Sequence, residues 1–267
     1  RAAREEDLAA ARREAAECEA LLREVADTAL SLENSAKGYR MRRELRAQKV
    51  AELDQKLAGL DSSIAEHRQR ARLLADLDRN MEGFGPSVKF VMGRARSGAL
   101  AGVFGPVSSL ISVKDAYTVA IETALGGAMQ NIAVTDEETA KRGIALLKEA
   151  RAGRATFLPL TSVRGSRMDT AALKDLAGFV GLGSDLVSCD GKFRGIVDWL
   201  LGRVAVAEDI DCAVAIAKKN GYRFRVVTLD GQVVNAGGSM TGGYTAKSAG
   251  ILGRQGEIDR LEAEAGR

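Results

Sequence analysis

The chain has 267 residues, 46% of them hydrophobic and 28% charged, with a formal net charge of +3 and room for one large domain or two small ones. No apolar run approaches the roughly 20 residues needed to cross a bilayer, and the Arg- and Glu-rich start does not resemble a signal peptide, so a soluble intracellular chain is expected. Cys18, Cys189 and Cys212 are far apart with no Cys-x-x-Cys pair, and His67 is the only histidine, which argues against a disulfide framework, a zinc site and most His-based triads.

Residues 1–80 contain no proline and almost no glycine. Apolar residues recur at spacings of three and four from Leu8 through Ala11, Ala15, Cys18, Leu22, Val25, Ala29, Leu32, Ala36 and Tyr39. The phase resumes at Val50 and runs through Leu53, Leu57, Leu60, Ile64, Ala71, Leu74 and Met81. This is a coiled-coil seam. One helix of this length would extend about 120 Å at 1.5 Å per residue, so it needs a partner. Arg43 and Arg46 sit in the seam near Gly38, and either a local bend or tolerated polar seam residues would fit them. The only other heptad material, Ile251, Ile258, Leu261 and Ala265, lies at the far end. An antiparallel coiled coil meeting at an intervening domain is therefore expected, with the arm over 1–84, the domain over 85–245 and the returning helix over 246–267. Both ends lie in charged helical sequence without caps, and the chain reads as a piece of a longer protein.

The pattern changes at Gly83-Phe84-Gly85-Pro86, which should break the helix. After a short helix near 87–95, the spacing predicts strands at 102–104, 131–134, 155–158, 203–206 and 223–229. Helices are predicted at 115–125, 136–150, 193–201 and 210–220, the second opened by a Thr135/Glu138 capping box. This is a mixed α+β fold. Higher glycine and serine content between 160 and 190 suggests either a junction of two subdomains or a long surface loop.

No Walker A loop, Gly-x-Ser-x-Gly or His-Glu-x-x-His motif is present, and Asp190-Gly191-Lys192-Phe193 offers no hydroxyl for magnesium. Asp209 and Asp211 read as helix-start charges. The chain's most unusual stretch is Gly237-Gly238-Ser239-Met240-Thr241-Gly242-Gly243. Four glycines in strand-like sequence cost about 0.5–1 kcal/mol each, and either a cradled phosphate or a closely approaching backbone would offset that. The stretch follows an apolar run that turns at Asp230-Gly231, which reads as a hairpin whose second strand, ending in paired glycines, is exposed at a sheet edge, and no helix follows directly; backbone association at that edge is favoured over nucleotide binding. Residues 1–80 hold 16 basic and 16 acidic residues while 85–256 hold 21 and 15. Lys89, Arg94 and Arg96 follow the first break, and Lys247 and Arg254 precede the returning helix, so together they could meet a phosphate backbone without reading sequence. Lys141, Arg142, Lys148, Arg151 and Arg154 read as the wet face of one helix.

Taken in order, several motifs resemble the hinge region of SMC proteins, the chromosome-organising coiled-coil ATPases. They are Gly105-Pro106-Val107 with Leu110 to Val113, Ala120 to Ile132 including Gly126-Gly127, Thr156 to Leu160, Val227 to Gly231, and the 237–243 cluster. The match covers roughly residues 81–256. The resemblance implies a hinge of two related subdomains flanked by antiparallel coiled-coil helices, joining two protomers as a homodimer. It places Gly237, Gly238, Gly242 and Gly243 at the dimer interface and extends that expectation to Gly126 and Gly127. It also implies nonspecific DNA contact, assigned here to Lys89, Arg94, Arg96, Lys247 and Arg254. ATP, magnesium, kleisin and accessory subunits would belong to head segments outside this chain, so no cofactor, metal site or catalytic residue is expected in it. A cytoplasmic, nucleoid-associated location without membrane contact is implied.

Overall fold

The computed structural model describes residues 2–243 and 250–266, and the chain divides into two compact units, Arg1–Ala65 and Glu66–Arg267. The first unit is helical throughout its described residues. It belongs to α1 (Ala2–Arg79), which runs unbroken through Gly38, Arg43 and Arg46, so the polar seam residues are tolerated within continuous helix. Its seam side chains, among them Leu22, Val25, Leu32 and Leu60, are exposed. A stripe that apolar needs a covering helix to be stable in water.

The second unit opens with the last turns of α1, followed by α2 (Pro86–Arg96), whose proline at the first turn needs no amide partner. Two copies of one pattern follow. The first is β1 (Val103–Pro106), β2 (Ile111–Val113), α3 (Thr118–Leu125), β3 (Ile132–Val134), α4 (Glu137–Glu149) and β4 (Phe157–Pro159). The second is β5 (Phe179–Leu182), β6 (Val187–Cys189), α5 (Arg194–Leu201), β7 (Val204–Ala207), α6 (Ile210–Lys219) and β8 (Arg225–Thr228). Only the second copy is extended, by β9 (Val233–Val234) and β10 (Met240–Thr241), before α7 (Gly253–Ala265) closes the unit.

The repeat is evident in the register. β1 pairs antiparallel with β3 through Gly105↔Ala133 and Pro106↔Ile132, with a bulge between Val103 and Gly105. β5 pairs with β7 in the same manner, through Gly181↔Val206 and Leu182↔Ala205, with its bulge between Phe179 and Gly181. In each copy a parallel partner follows across the helix, β4 beside β3 and β8 beside β7. The sheets have the orders β1-β3-β4 and β10-β9-β8-β7-β5, and β2 joins β6 as a separate ribbon centred on Ser112↔Ser188. The halves interlock. Ile121 and Ala124 of α3 pack with Val206, Val227 and Val233 of the five-stranded sheet, while Ile196 of α5 packs with Ala133 and Leu158 of the three-stranded sheet. Each sheet thus borrows a covering helix from the other half.

Near the chain's end, Ile258 and Leu261 of α7 pack on Ala71 and Leu74 of α1. Arg70 lies 2.6 Å from Glu257, and His67 Nδ1 lies 3.9 Å from Glu264, an order that runs antiparallel. Ile251, expected in this seam, instead packs in the cluster of Met81, Phe84 and Val88.

The helices and strands predicted between 87 and 229 agree with the observed ones to within two or three residues at each end, whereas the returning helix, expected over 246–267, spans Gly253–Ala265, with 246–249 outside the described residues. Four strands escaped the sequence reading: β2 and β6 are three residues long, β10 is two, and β5 lies in the stretch read as junction or loop, which narrows to 160–178. Too few alternations exist in such strands for a period to register. The proposed capping box does not form. Asp136 is the N-cap of α4, accepting from the Thr139 amide at 2.8 Å, while the Thr135 hydroxyl bonds to the side chains of Asp136 and Thr139. Asp209 caps α6 identically through the Cys212 amide, and Asp211 sits in the first turn as expected. These amide bonds hold both capping carboxyls below the ordinary Asp value of 3.8. Groups lowered in the folded state contribute stability above that value and lose it as pH falls through the folded one. Asp209→Ala should therefore lower the melting temperature at pH 7, and the gap from the parent should close as the pH is taken down through and below 3.8; melts followed by circular dichroism check this.

Candidate protein interface at two sheet edges

The glycine cluster folds into a turn and an edge strand. After the β8–β9 hairpin, where Gly231 takes φ +86° and its amide donates to the Thr228 carbonyl at 3.0 Å, the chain turns again at Gly237 and Gly238. Their φ values of +85° and +93° suit glycine, and the turn is tied by the Gly238 amide to the Asn235 carbonyl and the Gly237 amide to the Tyr222 carbonyl. The edge strand is therefore β10, between the two glycine pairs, and not the strand before them as the sequence suggested. A phosphate cradle opening a helix is not what this backbone builds.

Hydrogen-bond accounting shows what β10 leaves open. The Asn235 amide donates to the Ser239 carbonyl, and Met240 lies opposite Val234. Met240 is thus in a non-hydrogen-bonded position, and its own N–H and C=O point away from β9. The outer strands are β10 and β5 in the larger sheet and β1 and β4 in the smaller, and of these β4 lies beside Gly127. The Ile132 amide takes the Thr156 carbonyl and the Leu160 amide takes the Val134 carbonyl, so by alternation Phe157, and Ala155 in the extended stretch before it, turn their backbone groups away from β3. The equivalent side of β8 is filled by β9; β4 has no such neighbour among the described residues.

Gly126 and Gly127 begin a 3-10 turn after α3. Gly127 lines a polar cavity of about 350 Å³ with Ser87, Gln130, Asn131, Arg154 and Thr156, beside the start of β4. The turn is also linked to the other sheet, because Arg225 at the start of β8 donates to the Ala124 carbonyl at 3.2 Å. A Cβ added at Gly126, Gly127, Gly237 or Gly243 would meet nothing within 4 Å, whereas one at Gly242 would collide with the Gln232 side chain, which holds both the amide and the carbonyl of Gly243. Gly127 has neither a positive φ nor a close neighbour, so nothing among the described residues requires glycine there.

The basic set is only partly assembled. Lys89 Nζ lies 3.2 Å from a Glu82 carboxyl oxygen, and Arg254 donates to the Glu82 carbonyl at 2.6 Å, so both converge on one acidic residue at the base of the coil. Arg94 lies over the Phe90 ring at 5.1 Å, and Arg96 is exposed at the end of α2. Lys247 lies outside the described residues. The second basic set does line the outer side of α4 and the loop after it, with Lys141, Arg142, Lys148, Arg151 and Arg154 all exposed. Sequence reasoning did not single out Met240, Ala155 or Ile144. Only Met240 carried a signal, as a large apolar residue in a glycine-rich edge.

The family model for the SMC proteins Flexible Hinge Domain matches residues 100–217. Among solved structures, an asymmetric dimer of the Geobacillus stearothermophilus SMC hinge domain is 40% identical, with a TM-score of 0.71 over 82% of this chain and 90% of that one. The chromosome partition protein Smc of Bacillus subtilis is 38% identical over 200 residues, or 73% of this chain, and that of Halothermothrix orenii is 36% identical over 202 residues, or 74%. The chain spans about 17% of the length of these two relatives. Two interlocked repeats between antiparallel helices, with glycine-bounded sheet edges, define a coiled-coil hinge module. The chain belongs to the SMC hinge family, and its curated relatives are bacterial chromosome partition proteins.

Gly127→Ala, at an open position with permissive backbone, should leave the melting temperature of dilute protein unchanged or slightly raised, whereas Gly237→Ala should destabilise by about 1 kcal/mol because of its left-handed φ. Urea unfolding at low protein concentration separates the two.

Proposed function

We propose that this chain is the dimerisation hinge of a chromosome-partitioning SMC protein, with 1–84 as outgoing arm, 85–245 as hinge and 246–267 as the start of the returning helix. The observation that carries the reading is the pair of complementary open edges: β10 offers the backbone groups of Met240, and β4 offers those of Ala155 and Phe157. Two copies related by a two-fold would make the β10–β4 contact twice, an isologous and self-closing arrangement. The solved Geobacillus hinge, itself described as an asymmetric dimer, supports association through this module. The six glycines border the two edges and let a second backbone come close.

Within the whole protein this contact would join two SMC chains in chromosome condensation and segregation. ATP, magnesium, kleisin and accessory subunits would act through head segments, in a cytoplasmic, nucleoid-associated protein, and the hinge would turn over no substrate itself. Nonspecific DNA contact at the coil junction is part of the proposal, supported by the positive balance of residues 85–256. Arg94 and Arg96 are its strongest members, since neither is tied to Glu82 as Lys89 is through the carboxylate and Arg254 through the backbone carbonyl; Lys247 completes the set.

Sedimentation equilibrium of the full chain should show a concentration-dependent dimer. Ala155→Pro deletes one outward amide without touching the β3–β4 bonds, and it should give a folded monomer; a monomeric parent, or an unchanged dimer for Ala155→Pro and for Gly127→Gln alike, would sink the reading. For DNA, replacing Arg94 and Arg96 by Glu should reduce the slope of log K against log salt by about 2, one for each lost phosphate contact. An unchanged slope would remove these residues from the proposed contact.

A further inference from the structure

Beyond α1, the exposed large apolar side chains among the described residues are Phe104, Ile144, Trp199 and Met240. Two of these flank the β10 and β4 edges, while Phe104, on the outer strand β1, packs edge-on against Phe193. Met240, on β10, is 56% exposed, and Ile144, on α4, is 54% exposed. Ile144 forms one wall of a cavity of about 340 Å³ whose other walls are Leu147, Lys148, Gly153, Arg154 and Ala155. The cavity lies at the start of the β4 edge, apolar at its floor and basic at its rim.

The face on which each residue lies follows from the register. Met240 stands opposite Val234, and Val234 packs with Ala213, Ile216 and Ala217 of α6; directly opposed residues share a face, so Met240 is on the α6 side of its sheet. Thr241 stands opposite Val233 and takes the other side, that of α3 and α5. In the first repeat, Ala155 and Phe157 pack in the cluster of Ala140 and Leu147, and are on the α4 side. The units β3-α4-β4 and β7-α6-β8 are equivalent parallel crossovers, each with its second strand on the same side of the first. β10 is parallel to β8, being two antiparallel steps from it. If a second copy's β4 joins β10 antiparallel, that copy must be turned in the plane of the sheet, and its α4 then lies on the same face as α6. If the strands join parallel, α4 falls on the opposite face, away from Met240.

Resting on the dimerisation reading above, we propose that Met240 is the anchor of the hinge dimer. The strands join antiparallel, with the backbone groups of Met240 exchanging bonds with those of Ala155 in the second copy, and the thioether side chain enters the groove between Ile144, Leu147 and Ala155. The small side chain of Ala155 leaves the groove open, and an unbranched, flexible methionine can fill an irregular cavity. Lys148 and Arg154 at the rim favour a neutral side chain over a cationic one. The two largest exposed apolar groups near the edges are thereby covered by one contact, made twice per dimer.

The test is a charge-swap cycle on the full chain, read by sedimentation equilibrium, with Ala155→Pro as the monomer control. Met240→Lys and Ile144→Glu should each weaken the dimer by about tenfold or more, as expected for losing a buried Met contact. The double variant should recover to within about threefold of the parent, because Lys and Glu would then face one another. Both positions are exposed in the protomer, so each single variant keeps the parent's melting profile when dilute. If Ala155→Pro is monomeric but Met240→Lys dimerises like the parent, or if the double variant gains nothing over the singles, the anchor is wrong while the hinge reading stands. If Ala155→Pro also remains dimeric, the strand pairing itself is wrong. A Met240→Cys, Ala155→Cys chain with Cys18 replaced by Ser should form an intermolecular disulfide under mild oxidation, since opposed strand residues lie about 5.5 Å apart. A crosslink only in the matching Phe157→Cys chain would move Met240 out of the groove and overturn the proposal.

Discussion

Backbone polar groups at the end of a sheet must find a partner or face water, and in this hinge that requirement organises the rest. The two repeats fold by the same rules until they reach their last shared strand. In the second copy, β8 is followed by a hairpin that supplies β9 and β10, so the unsatisfied edge is moved two strands outward. In the first copy β4 ends at Pro159, the chain leaves for the other half, and the edge stays where it is. The asymmetry between otherwise equivalent halves leaves β10 and β4 as dissimilar outer edges.

The core permits this exposure because the halves are interlocked. With α3 packed on the five-stranded sheet and α5 reaching the three-stranded one, neither half has a complete hydrophobic core alone. The β2–β6 ribbon adds a direct backbone link between them. The edges therefore stand on a single packed body, and short strands of two to four residues are held straight by their neighbours rather than by their own propensity. Glycine has distinct work at different points of the rim: at Gly237 and Gly238 it allows the left-handed turn that presents β10, while at Gly127 nothing among the described residues demands it.

Charge is arranged more economically than the sequence suggests. Lys89 and Arg254 come from opposite ends of the hinge and meet at Glu82, which helps fasten the entry of one coil helix to the exit of the other. The charge of Lys89 is partly answered by the Glu82 carboxylate before any ligand arrives, whereas Arg254 bonds only the neutral backbone carbonyl. Exposed ion pairs of this kind contribute modestly to stability. Their geometry nevertheless places the basic residues at the coil junction, as their positions in the chain suggested.

The amino-acid sequence by itself determined the heptad arm, the helix break at Gly83 to Pro86, most of the α/β elements, the hairpin at Asp230-Gly231 and the singular glycine cluster, because each rests on local periodicity or on residues with few allowed conformations. Motif order along the chain was enough to suggest the family. Tertiary structure alone decided that β5 pairs β7 as β1 pairs β3, that α3 and α5 cross between halves, that Asp136 rather than Thr135 caps α4, and that the free edge is β10. It also decided which strand edges remain open and which faces Met240 and Ile144 occupy. Strands of two or three residues carry too little pattern to declare themselves, and whether an edge is covered depends on segments distant in sequence that only folding brings together.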